Sequence, residues 1–160
     1  MAFDSRATAE SNGEPEAPGD TRALDDCGIL PMAPRKVPAR VLIVDDEALI
    51  RWALAESLRA GGFEALEAET VDEAYALIAR GDRIDAALID LRLPDGSGLH
   101  VLDRLRAGQP ACRSFLMTAY GAPESMEAAA ARGAMAVVSK PFDLGDIMRL
   151  LESALQDRSS

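Results

Sequence analysis

Cysteine, histidine and aromatic side chains are all scarce in this chain. It carries two cysteines, one histidine and 4% aromatic residues among 160. Cys27 and Cys112 cannot make a disulfide framework, and no Cys/His cluster has zinc spacing. Cys112 stands just before an apolar run and reads as an edge or core filler rather than a reactive thiol. His100 lies in Leu99-His100-Val101-Leu102, where the leucines are expected inward and the histidine outward, so a phosphohistidine role is set aside. Positive charge is short as well: 17 basic against 27 acidic residues give a net charge of −10. That balance repels phosphate backbones, so direct DNA binding is not expected. No apolar run approaches the about 20 residues that span a bilayer. Asp4, Arg6 and Glu10 leave no apolar stretch for a signal peptide. A cytoplasmic chain without membrane contact is expected.

What is present falls into two parts. Residues 1–38 hold five of the nine prolines, Pro15, Pro18, Pro31, Pro34 and Pro38, with Phe3 as their only aromatic. Such a segment buries too little apolar surface to offset its ordering entropy, and a disordered tail is expected. Its more apolar stretch, Gly28–Met32, is the part suited to docking. From residue 39 to 156 short apolar runs alternate with helical patterns. Val41–Val44, Phe63–Ala68, Ile84–Ile89, Ser114–Met117 and Ala136–Val138 read as strands. A helix with Ile50, Ala53, Leu54 and Leu58 on one face ends at Gly61-Gly62. Thr70-Val71-Asp72-Glu73 is a capping box opening a second helix. Residues 98–106 and the alanine-rich 123–132 give two more, and Asp143 caps a last one. Residues 157–160 read as a C-terminal tail. Trp52 is expected to pack on the flank of its helix.

Alternation of this kind predicts an α/β fold with a five-stranded parallel sheet and helices on both faces, since parallel strands need helical crossovers. Five such units suit the flavodoxin-like order 2-1-3-4-5, whose ligand crevice lies beyond the carboxyl ends of the strands. Asp45-Asp46-Glu47 follows the first strand, Asp90 the third, Thr118 the fourth and Lys140 the fifth. Aspartates after strands also serve as turn formers and helix caps, so no one of these residues is decisive. Together they set several carboxylates at one edge, where mutual repulsion raises pKa values unless a cation sits among them. Hard oxygen donors favour Mg²⁺, with room for a phosphate oxygen. Lys140 and Thr118 suit the remaining phosphoryl oxygens. The arrangement points to a carboxylate nucleophile attacking phosphorus.

Val44-Asp45-Asp46-Glu47, Leu88–Gly98, Met117-Thr118-Ala119 and Lys140-Pro141-Phe142 stand in the order and spacing of a known family. Over residues 39–156 the chain resembles the receiver domain of bacterial response regulators, in two-component signalling. Ile50-Arg51-Trp52 and Met117–Gly121 look most like receivers of nitrogen-regulatory-type activators. The resemblance implies that Asp90 is phosphorylated, that Asp46 binds Mg²⁺ directly and Asp45 through water, and that the backbone carbonyl of Arg92 completes the metal ligands. It implies that Thr118 moves toward the phosphoryl group and that Lys140 pairs with it, beside a Lys140-Pro141 bond usually cis in this family. Pro94 and Gly98 would shape the loop after the site. Arg92 and Tyr120 occupy positions that influence phosphoryl lifetime. Val137 departs from the family pattern, standing where an aromatic switch residue is often found.

No helix-turn-helix follows residue 153, and there is no P-loop pattern. A stand-alone regulator is therefore expected, phosphorylated by a sensor histidine kinase and binding a downstream protein through the fourth helix, fifth strand and fifth helix. It would be no conventional enzyme, catalysing only its own phosphorylation and dephosphorylation. The alternative is a relay intermediate that passes the phosphoryl group to a histidine phosphotransfer protein. A hydrolase of the aspartate-nucleophile type would need Asp-x-Asp at the first strand, which Asp45-Asp46-Glu47 does not supply. A degenerate receiver used only for binding is at odds with the complete acidic set.

Overall fold

A computed structural model describes residues 37–119 and 123–159. The expected tail over 1–38, with Cys27, lies outside the described residues except for Val37 and Pro38, and so does Tyr120. Five strands form one parallel sheet: β1 (Arg40–Val44), β2 (Glu64–Ala68), β3 (Ala86–Asp90), β4 (Arg113–Thr118) and β5 (Ala136–Ser139). Their order is β2-β1-β3-β4-β5, as the alternation predicted. The crossovers are α1 (Ala48–Ala60), α2 (Val71–Ala79), α3 (Gly98–Gly108) and α4 (Pro123–Ala131). The last helix, α5 (Leu144–Ser159), runs past residue 156.

Strand residues sort to opposite faces with a period of two. Val41 and Ile43 of β1, Ala86 and Leu88 of β3, and Phe115 and Met117 of β4 pack with Leu54 and Leu58 of α1 and Ile147 and Leu151 of α5. The intervening Leu42, Val44, Ala87, Ile89 and Leu116 pack with Ala74 and Ile78 of α2 and Val101, Leu102 and Leu105 of α3. Every residue of β3 is buried, because it is the central strand and is covered on both faces. Filling each large aliphatic site contributes about 1.5–3 kcal/mol. These two cores fix the register that carries the polar strand ends.

Three differences from the sequence reading have local causes. The third strand begins at Ala86 rather than Ile84; at Asp85 the backbone still bonds to Arg40 and Arg113, and the side chain adds a latch. Its carboxylate accepts from the Arg40 N–H at 2.8 Å and from Arg83 Nε at 3.0 Å. Trp52 is 59% exposed instead of packed. The buried residues of α1 are Leu54, Ala55 and Leu58, and a position two before Leu54 points well away from that stripe. A short antiparallel hairpin, Arg92–Leu93 with Gly96–Ser97, fills the loop after β3.

That hairpin reaches across to α2. Thr70 Oγ1 accepts from the Glu73 N–H at 3.0 Å, as expected of a cap, and Glu73 reaches back one residue further than a capping box, to the Glu69 N–H. The two N–H groups between, on Val71 and Asp72, donate to the carboxylate of Asp95 at 2.8 and 3.1 Å. The Val71 amide, helped by that of Asp72, holds the Asp95 carboxyl below its ordinary pKa against the opposing effect of burial. A carboxylate held low stabilises the folded chain above its unfolded-state pKa, and the stabilisation is lost as pH falls through the folded value. Asp95→Ala should therefore lower the melting temperature at pH 7, and the gap to wild type should close in acid below the carboxylate range. Thermal unfolding at both pH values checks this; equal melting temperatures at pH 7 would show that the contact stabilises nothing.

Candidate functional site

The carboxyl ends of β1 and β3 lie side by side, since Val44 pairs with Ile89. The next residues, Asp45 and Asp90, are both buried. Asp45 is fixed at four points. Its N–H donates to the Ala68 carbonyl at 3.1 Å, and its carbonyl accepts from the Arg51 guanidinium at 2.7 Å. Its Oδ1 accepts from the Glu47 N–H at 2.8 Å, and its Oδ2 from Lys140 Nζ at 2.8 Å. Asp46 is exposed. Carboxylate oxygens of Asp45, Asp46 and Asp90 can all lie within 4.8 Å of one another.

Asp90 accepts from the Arg92 N–H at 3.2 Å through Oδ1 and from Lys140 Nζ at 3.2 Å through Oδ2. Burial pushes its carboxyl above the ordinary range; Lys140 and the Arg92 amide oppose that, and the neighbouring Asp45 charge adds to it. Burial pulls the Lys140 ammonium down, but the hydrogen bonds and charges of Asp45 and Asp90 outweigh it and raise the pKa well above the usual lysine value. Lys140 therefore remains a cation throughout the physiological range.

Lys140 is delivered by β5. Ser139 pairs with Thr118, and the Lys140 N–H donates to the Thr118 carbonyl at 2.8 Å. The Lys140-Pro141 bond is cis. Thr118, 2% exposed, ends β4 beside it. On the other side the chain leaving Asp90 is held close: the Leu91 N–H donates to the Met117 carbonyl, and the Gly98 N–H to the Leu91 carbonyl, each at 2.8 Å. A Cβ at Gly98 would collide with the Asp90 carbonyl and stand 2.9 Å from Ile89 Cγ2, so only glycine fits where α3 begins.

The structure thus gathers Asp45, Asp46, Asp90 and Lys140 at one edge, with Thr118 at the adjoining strand end. Arg92 is exposed at the start of the hairpin and meets Asp90 through its N–H. Val137 is half-buried against the core that holds Leu116. Sequence reasoning missed two groups. Glu47 Oε1 lies 3.2 Å from Lys140 Nζ, and Arg51 pins the Asp45 carbonyl. Both lie close in sequence to the aspartates, but only the tertiary approach of β5 and the helical turn of α1 reveal their targets. The donor set is three carboxylates of hard oxygen beside one ammonium, which suits a small divalent cation such as Mg²⁺. Among the described residues no helix is long and apolar enough to cross a membrane.

With this geometry in view, the comparisons are specific. The family model of the response regulator receiver domain matches residues 41–152. The photosynthetic apparatus regulatory protein RegA of Rhodobacter capsulatus is 40% identical over 112 residues, 69% of this chain and 60% of RegA. The chain spans about three fifths of RegA and smaller shares of several other curated relatives. A CheY-like receiver domain protein from Methanospirillum hungatei JF-1 superposes with a TM-score of 0.74 at 28% identity, covering 77% of this chain and 98% of that one. A response regulator from Burkholderia pseudomallei, solved with a phosphorylated aspartic acid, a calcium ion and citrate, superposes with a TM-score of 0.68 at 26% identity, covering 76% and 71%. A family match across all five strands of the sheet and their polar ends admits one assignment: this chain belongs to the response regulator receiver domain family.

Proposed function

We propose that Asp90 accepts a phosphoryl group and that Lys140 and Thr118 serve the phosphoryl oxygens. One observation carries the reading: two buried carboxylates on adjacent strands share a single lysine ammonium, with a third, exposed carboxylate beside them. The Burkholderia neighbour, whose crystals hold a phosphorylated aspartic acid and a calcium ion, supports it. An Asp90 carboxylate oxygen attacks phosphorus as the bond to the donor breaks, and the leaving group keeps that electron pair. The protonated Lys140 beside it opposes the upward push of burial and favours the carboxylate form of the nucleophile. Asp45, Asp46, Asp90 and the Arg92 carbonyl are the proposed ligands of Mg²⁺. Neutralisation of developing oxygen charge is the chemistry a bound Mg²⁺ would supply.

The proposed donor is a sensor histidine kinase or a histidine phosphotransfer protein, met in the cytoplasm. The proposed output is protein contact through α4, β5 and α5 rather than binding to nucleic acid, and the chain catalyses nothing beyond its own phosphorylation and dephosphorylation. The receiver module is read as residues 39–156, preceded by a proline-rich tail. Return of the phosphoryl group to a histidine protein would assign the relay role instead.

Intact-mass measurement after incubation with acetyl phosphate should show one phosphoryl adduct that requires Mg²⁺ and disappears in Asp90→Asn. Labelling of Asp90→Asn at the wild-type rate would refute the assignment. A second outcome concerns Lys140. Replacing it by Met leaves two buried carboxylates without their cation. The expected loss in urea unfolding without Mg²⁺ is about 1–3 kcal/mol, less than for a fully enclosed pair because the site opens to water at Glu47. Added Mg²⁺ should recover more stability in the variant than in wild type. Equal stability of variant and wild type in the absence of Mg²⁺ would show that the ammonium does not hold the pair.

A further inference from the structure

The Lys140 ammonium has three N–H donors, and three carboxylates occupy them. Asp45 Oδ2 lies 2.8 Å from Nζ, and Glu47 Oε1 and Asp90 Oδ2 each lie 3.2 Å away. The three partners are unequal. Asp45 is buried and held by the Glu47 N–H as well, and Asp90 is buried and held by the Arg92 N–H. The Glu47 side chain is 60% exposed. Glu47 is also the N-cap residue of α1, a position whose side chain ordinarily accepts from the first helical turn. Its carboxylate makes no capping bond and reaches Lys140 instead.

A phosphoryl group on Asp90 turns its carboxylate into an acyl phosphate, which frees one N–H of Lys140 but brings three oxygens that require donors, and Lys140 has no second N–H to spare until another carboxylate releases it. The one able to leave for water at small cost is Glu47. We propose that Glu47 is a positioning residue that holds the third N–H of Lys140 before phosphorylation and gives up its place to a phosphoryl oxygen, so that it opposes the phosphorylated state. The inference rests on the reading of Asp90 as phosphoacceptor.

The test uses the full chain with Mg²⁺ and beryllofluoride, a stable stand-in for the phosphoryl group, on wild type, Glu47→Gln and Glu47→Asp. Removing a contact present only in the free state should tighten beryllofluoride binding about two- to fivefold in Glu47→Gln, the range of an exposed ion pair. Glu47→Asp keeps the charge but shortens the reach by one methylene, and direct pairing predicts that it tightens like Gln. In the metal-free protein, the Lys140 ammonium protons followed by ¹⁵N NMR should exchange with water faster in both variants. Unchanged or weaker binding by Glu47→Gln overturns the proposal. So does wild-type affinity in Glu47→Asp, which would reduce the effect to charge. Failure of wild type to bind beryllofluoride would instead overturn the phosphoacceptor reading, and the proposal with it; wild-type Lys140 exchange in the variants overturns the proposal alone.

Discussion

The rest of the site depends on one ammonium shared by two buried carboxylates. Asp45 and Asp90 stand at the ends of neighbouring strands whose register fixes them side by side. Taking each carboxylate out of water costs several kcal/mol, and their like charges add to that. Lys140 offsets both terms, but it comes from 95 residues beyond Asp45 and 50 beyond Asp90. It can arrive only if β4 and β5 have already added to the sheet in register. The two apolar cores provide that register, each strand sending alternate residues to opposite faces. Hydrophobic burial thus sets up an electrostatic arrangement that would not assemble unaided.

Around that pair the fold divides rigid from mobile duty. Asp45 is fixed through its amide, carbonyl and both carboxylate oxygens, and the chain leaving Asp90 is clamped by Met117, Leu91 and the close approach of Gly98. Asp46 and Glu47, by contrast, are exposed. The two buried carboxylates are bonded at several points, while Asp46 and Glu47, the latter proposed to exchange partners, stand in water. Asp95 extends the rigid part. It bridges the hairpin after Asp90 to the first turn of α2, so the backbone beside Asp90 is held from a second helix.

Much of this was legible in the sequence because local signals carried it. The all-apolar run Val41–Val44 meant a strand buried on both faces, and Thr70 and Asp143 marked helix starts that their side chains do cap. Polar residues directly after apolar runs named the strand-end set. What escaped depended on distance in space. Nothing near Glu47 in sequence tells that its carboxylate turns to Lys140, and nothing near Asp95 tells that it serves α2. Nothing near Asp85 tells that its carboxylate latches the Arg40 N–H while its backbone bonds to both flanking strands. Trp52 was expected to pack on the flank of its helix, but the side chain there stays exposed because the stripe of Leu54, Ala55 and Leu58 faces away from it.

The charges of the site show why a divalent cation suits the proposed reaction. Four carboxylates, Asp45, Asp46, Glu47 and Asp90, gather about one ammonium. The two that are buried have Lys140 as their partner, while Asp46 and Glu47 are screened by water. The buried pair therefore carries one negative charge more than its ammonium offsets. On the proposed reading, phosphorylation would deepen that excess, because Asp90 would go from one negative charge to about two. One ammonium cannot offset that, and the shortfall lies in the crevice among hard oxygen donors. The proposed role of a divalent ion is to offset that shortfall, set by how many carboxylates these strand ends deliver.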